Sequence, residues 1–307
     1  MTGVRAKDDD ATELAVAVPG GDLAVVRWPA EGRDGGLPVL VVHGITGNAL
    51  TWAAVARRLP DVDVLAPDVR GRAHSRAVSG PYGIRRHADD LALVLDELGV
   101  TEPVVLAGHS MGAFIACVAA VRHPDRFRRL VLVDGGYDFR VPVTGDVDAA
   151  LNETLGPSMA RLSMEFESFA AYQAFWQAHP AFAGQWTADA DAYIERDLIG
   201  VAPHLRSSCV IDAVRTDGGD VFADEDVHAA IRRLSVPATL LWAERGLRDE
   251  PVGLYTREGL TSAGLPDTVD VVAVPGTNHF SIMFGDTGAD AVAAAVRAAI
   301  RASVASG

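Results

Sequence analysis

Pro103-Val104-Val105-Leu106-Ala107 is an apolar run of strand length. It passes directly into Gly108-His109-Ser110-Met111-Gly112 and then into a stretch of helical spacing from Met111 to about Arg122. A serine with a glycine two places away on either side, wedged between a strand and a helix, leaves the chain few options. The turn has to be tight, Ser110 must adopt an unfavourable backbone conformation, and side chains at 108 or 112 would collide with their neighbours. The hydroxyl is then left standing at the C-terminal end of the strand. Beside it lie the first N–H groups of the helix, which lack intrahelical partners and carry partial positive charge.

The same strand-then-helix rhythm recurs along the chain. Leu37–Val42, Val62–Ala66, Leu130–Val133, Ala238–Trp242 and Val269–Val274 are further apolar runs. Asn48–Leu59, Ile84–Leu98 and Ala289–Ser303 have helical spacing. Continuous apolar strands separated by helices predict an α/β fold with a mostly parallel central sheet covered on both faces. Leu14–Val18 and Leu23–Arg27 are expected to form a hairpin at the sheet edge. The rhythm breaks between Gly135 and about Ser235, where no clear strand is read and helical spacings dominate. That third of the chain holds 11 of the 20 aromatic residues. The expected division is a core of residues 1–135 and 236–307 and an inserted helical lid, or cap, of residues 136–235.

Composition narrows the partners. Among 307 residues, 27 Lys+Arg against 41 Asp+Glu give a net charge of −14. So acidic a surface repels nucleic acid and anionic lipid, so neither is expected as a partner. Two cysteines, Cys117 and Cys209, cannot build a disulfide framework or a four-thiolate zinc site. Asp8-Asp9-Asp10 stands where a signal peptide would be apolar, and no 18-residue apolar run occurs, so a cytoplasmic location is expected.

Four pieces in order resemble the α/β-hydrolase family over nearly the whole chain. They are His43-Gly44 after a central strand, Asp68-Val69-Arg70-Gly71-Arg72-Ala73-His74-Ser75, Gly108–Gly112, and Asn278-His279-Phe280 before the last helix. In the second piece Ala73 stands where the family usually has a glycine. The resemblance implies that Ser110 is the nucleophile of a nucleophile elbow. A serine needs a base, and His279, on a loop at the same sheet edge, matches the family's position. His43 matches the residue that shapes the oxyanion loop. His109 is adjacent to the nucleophile and should point away from it, His123 reads as a helix terminus, and the other histidines match no base motif. Oxyanion donors are expected from the backbone N–H groups of Met111 and Ile45.

The acid departs from the family pattern. Trp242-Ala243-Glu244-Arg245-Gly246 carries Gly246 where an Asp is usual. Asp134, at the end of the strand beside the elbow strand, is the preferred candidate. Asp249 is the alternative acid, with Glu244 and Glu250 behind it. Arg245 and Arg248 offer Asp249 and Glu250 a plain ion-pair explanation.

These residues imply a serine hydrolase cleaving an ester, thioester or lactone of a partly apolar small molecule through an acyl-enzyme. Carbon–carbon bond hydrolysis, a cofactor-free perhydrolase reaction and a non-catalytic small-molecule receptor are the alternatives. No H-E-x-x-H, C-x-x-C or helix-opening G-x-G-x-x-G occurs, so neither a metal nor a cofactor is expected. Lid residues Phe139, Met159, Trp176 and Trp186 are expected to line the substrate pocket.

Overall fold

The β-branched runs become strands whose successive side chains face opposite sides of one sheet. The computed structural model describes residues 11–32, 36–138 and 146–304. Its main sheet contains β1 (Thr12–Val18), β2 (Gly21–Trp28), β3 (Val39–Val42), β4 (Val64–Pro67), β5 (Val104–His109) and β6 (Phe127–Val133). After a small hairpin of β7 (Leu198–Val201) and β8 (His204–Ser207), it is completed by β9 (Ala238–Ala243) and β10 (Val269–Val274). The order is β1-β2-β4-β3-β5-β6-β9-β10. The β1–β2 and β2–β4 pairings are antiparallel and the others parallel.

Both faces are apolar. Leu40, Val42, Leu106 and Leu132 pack with Leu91 and Phe114, which sit on the helices Ile84–Glu97 and Met111–Arg122. Val39, Val41, Val105 and Val133 face the other way. They pack with Trp52 and with Val292 and Val296 of the closing helix Asp286–Val304. Among the described residues no helix is long and apolar enough to cross a membrane.

Residues between β6 and β9 form helices including Val147–Leu155, Pro157–Ala160, Phe169–Gln177, Ala188–Asp197 and Ile211–Ala223. The expectation of no strand there is corrected by β7 and β8, which pair antiparallel. Both are four residues long, largely exposed and without apolar alternation, so they leave no period-two signal. The insert is moored to the core by the ion pairs Arg57–Asp189, Arg196–Asp68 (2.7 Å) and Arg72–Asp217 (2.6 Å), the last with both side chains fully buried.

Candidate active site

The register of β5 against β6 pairs His109 with Val133, and that of β6 against β9 pairs Val133 with Leu241. Ser110 and Asp134 therefore emerge side by side at the C-terminal edge. The Ser110 N–H donates to Val133 O at 2.9 Å, and the Asp134 N–H to Leu241 O at 2.7 Å. Ser110 has φ 55° and Asp134 φ 45°, in the left-handed region that non-glycine residues rarely occupy. The two elbow glycines have a direct steric reason. A Cβ on Gly108 would lie 2.1 Å from Gly112 O, and one on Gly112 would lie 2.3 Å from Val42 O.

His279 precedes the short helix Ser281–Phe284. Its Nδ1 lies 2.7 Å from Asp134 Oδ2. Asp134 Oδ1 accepts from the Ala243 N–H at 3.0 Å, so both carboxylate oxygens are engaged. Asp134 is fully buried, whereas Asp249 sits in a part-exposed loop. Asp249 is held by Arg245 Nε at 2.6 Å and also accepts from Asn278 Nδ2. The Arg245 guanidinium beside it holds its carboxyl below the usual carboxylate range. Glu250 pairs with Arg248, and Glu244 accepts from the Gly276 N–H.

His43 is buried with both nitrogens committed. Its Nε2 accepts from the Val69 N–H at 3.0 Å, so Nδ1 carries the proton and donates to Gly44 O at 2.8 Å. The Gly47 N–H donates to the same oxygen. Two donors on the Gly44 carbonyl fix the Gly44–Ile45 peptide plane, and with it the direction of the Ile45 N–H. Arg72 Nε and Arg161 Nη2 donate to the next two carbonyls, those of Ile45 and Thr46. The N–H groups of Ile45 and Met111 have no hydrogen-bond partner among the described residues. Burial pushes His43 down to about 3, so it is neutral.

A cleft above the elbow is lined by Gly44, Ile45, Ser110, His279 and Phe280 from the core and by Leu155, Ser158, His179 and Tyr193 from the insert. A second lobe on the same serine is lined by Met111, Leu155, Val221, Phe222, Leu247 and Leu254. The aromatic residues expected to line the pocket are placed elsewhere. Trp176 is wholly buried inside the insert, ringed by Tyr172, Phe182, Tyr193 and Phe280 and carrying the Arg161 guanidinium on its face. Trp186 packs on Phe182, and its indole N–H donates to Asp191. Met159 is buried in the hydrophobic core. Large apolar faces on short helices are consumed in holding those helices together. Phe139 lies outside the described residues.

Polar groups were the missed liners. Ser158, His179, Thr51 and Tyr193 carry no motif; the packing of the insert brings Ser158, His179 and Tyr193 to the cleft, and the turn Ala49–Trp52 of the core brings Thr51. His109 also belongs to its wall. Its Nε2 lies 3.0 Å from His279 O and its ring 4.6 Å from the His279 ring, so it buttresses the His279 loop. Burial and the neighbouring His279 push it well below the usual imidazole range.

Comparison with known proteins identifies the family of the chain. A family model described as alpha/beta hydrolase fold matches residues 38–286. N-formylmaleamate deformylase of Pseudomonas putida is 31% identical over 226 residues, covering 70% of this chain and 74% of that protein. Lipase LipV of Mycobacterium tuberculosis is 35% identical over 143 residues, 46% of this chain and 53% of its own. 2-Hydroxymuconate semialdehyde hydrolase of Pseudomonas putida is 35% identical over 140 residues, 44% of this chain and 48% of its own. For the last two, the chain spans about half the length of the curated relatives it matches.

Proposed function

Because the chain belongs to the alpha/beta hydrolase fold family, we propose that it is a serine hydrolase acting on an ester, thioester or lactone of a small molecule with an apolar part. Ser110 Oγ attacks the carbonyl carbon, and His279 Nε2 takes its proton. Asp134 holds Nδ1–H and stabilises the imidazolium. The N–H groups of the buried Ile45 and Met111 receive the oxyanion, where shielded donors act strongly. Collapse expels the leaving group, which takes the proton from His279. Water, deprotonated by the same histidine, then releases the acid and restores Ser110.

The observation that carries this reading is the Asp134–His279 pair at 2.7 Å opening onto the cleft that contains Ser110. Labelling by a fluorophosphonate probe, together with hydrolysis of p-nitrophenyl esters of rising chain length, tests it. A folded protein that does neither overturns it.

A second reading is cleavage of a carbon–carbon or amide bond by the same groups. The similarity to 2-hydroxymuconate semialdehyde hydrolase and to N-formylmaleamate deformylase supports it. Assaying vinylogous diketones and formamides beside the esters separates the two.

A further inference from the structure

The two lobes that meet at Ser110 differ in chemistry. One is walled mostly by apolar side chains, Met111, Val221, Phe222, Leu247 and Leu254, with Thr154 adding a single hydroxyl beside the shared Ser110 and His279. The other carries polar side chains that folding leaves unspent. Ser158 is 3% exposed, and its hydroxyl has no hydrogen-bond partner among the described residues. His109 is also buried, and its Nδ1 has none. His179 is 2% exposed, and its Nδ1 accepts from the Ala181 N–H at 3.2 Å, which puts the ring proton on Nε2. Its partners through the ring are Trp176, Phe182 and Phe280, none of which accepts that proton in the ring plane.

A buried hydroxyl without a partner is destabilising unless something else supplies the bond. Three side chains with spare polar capacity in one lobe, beside the proposed nucleophile, point to a ligand group as that supplier. We propose that the Ser158–His179 lobe binds a neutral hydrogen-bonding end of the substrate, a carbonyl, amide or hydroxyl, while the apolar lobe takes a hydrocarbon end. The inference rests on the hydrolase reading above.

Neutrality follows from charge. Among the described residues, no lysine or arginine lines either lobe. Two buried cations lie behind the lining residues: Arg161 spends its donors on Tyr172 Oη, Ser158 O, Thr46 O and Asp197, and Arg72 on Ile45 O, Arg70 O and Asp217. His179 supplies no charge at neutral pH, since burial, with help from Arg161 and Arg248, holds it down to about 4. A carboxylate in this lobe would be buried without a counter-ion, which is strongly unfavourable.

The test uses two ester series of matched length, one varied at the far end of the acyl chain and one at the far end of the alcohol. Each series ends in primary amide, carboxylate or methyl. In at least one series kcat/KM for the amide should exceed that for the carboxylate by about tenfold or more. Ser158→Ala and His179→Phe should each pull the amide-to-methyl ratio toward one. Ser158→Ala should also leave Tm equal or higher, because it removes an unpartnered hydroxyl. Carboxylates that match or beat amides in both series overturn the proposal. So do variants that lower all three members equally, and so does a fall in Tm for Ser158→Ala with an unchanged ratio. Fluorophosphonate labelling of the wild type is read in parallel. Labelling without the preference overturns the subsite alone, and no labelling with no hydrolysis overturns the hydrolase reading with it.

Discussion

Asp134 and His279 are 145 residues apart in sequence, and their side chains meet at 2.7 Å with Asp134 wholly buried. The second carboxylate oxygen receives the Ala243 N–H, so the acid cannot rotate away from the histidine. This contact sets what substitution at 134 should do. In Asp134→Asn the side-chain oxygen must stay with the Ala243 N–H, which turns the amide NH₂ toward His279 Nδ1. Nδ1 then has to accept, the ring proton moves to Nε2, and the base is lost. The expected fall in kcat reaches about 10⁴-fold. Asp249→Asn removes a part-exposed ion pair with Arg245 and should change kcat less than about threefold. Steady-state assays of both variants, with folding checked by circular dichroism, decide it. A dead Asp249→Asn beside a nearly normal Asp134→Asn reverses the choice of acid.

Ser110→Ala should abolish hydrolysis and covalent labelling while the protein stays folded. What survives is the contribution of binding and the oxyanion donors, about 10³–10⁴ over water. More than about a tenth of the wild-type rate in pure, folded variant removes Ser110 from the mechanism.

His43→Ala should lower kcat by about 10- to 100-fold and leave KM within about threefold. The Gly44–Ile45 peptide would keep the Gly47 N–H but lose the imidazole that holds its carbonyl. Removal of an oxyanion donor outright costs about 10²–10³, and loosening one should cost less. A kcat within twofold of wild type would mean that the peptide is fixed without His43. Calorimetry should also show destabilisation, because the buried Val69 N–H loses its acceptor.

Stability should fall with acid in two stages. His43 and His179 are held down to about 3 and about 4, and His109 is well below the usual range, in each case first by burial. In the unfolded chain histidine titrates near 6.5. Between about pH 6.5 and 4 the unfolded state therefore binds more protons, and each such histidine removes about 1.4 kcal/mol of stability per pH unit. Asp217 adds a later stage. Burial would raise its carboxyl, but His87 and Arg72 hold it at about 2, so its contribution is present above about pH 4 and is lost toward pH 2. Urea midpoints at pH 7.5 and 4.5 test the first stage, and equal midpoints would contradict it.

The core was legible because the central strands β3, β5, β6 and β9 are short apolar runs, and the elbow after β5 is a glycine-marked turn. Gly108 to Gly112 could be read as an elbow since no side chain fits at either end. The family's usual glycine at position 73 also makes physical sense, because Ala73 sits at φ 40°. Strand adjacency makes Asp134 a candidate acid in the sequence, and the register of β5, β6 and β9 places it beside Ser110 and against His279. The insert resisted the same reasoning. Trp176 and Met159, expected at the cleft as lid residues, instead hold short helices together. Ser158 and His179 reach the cleft only through the packing of those helices on one another. No periodicity records that packing.

The moorings of the insert bear on how substrate gets in. Swinging it aside would part Arg72 from Asp217 and Arg196 from Asp68 together, and at the same time pull Arg161 from the Thr46 carbonyl beside Ile45. Separating buried charges without replacements costs several kcal/mol. On the proposed function the insert would act as a fixed roof, and its removal would disturb the Gly44–Thr46 loop that it contacts. Entry then depends on side-chain motion at the cleft mouth, which only single dissolved molecules can exploit. Turnover should follow the concentration of monomeric substrate and show no jump where an amphiphilic ester begins to form micelles.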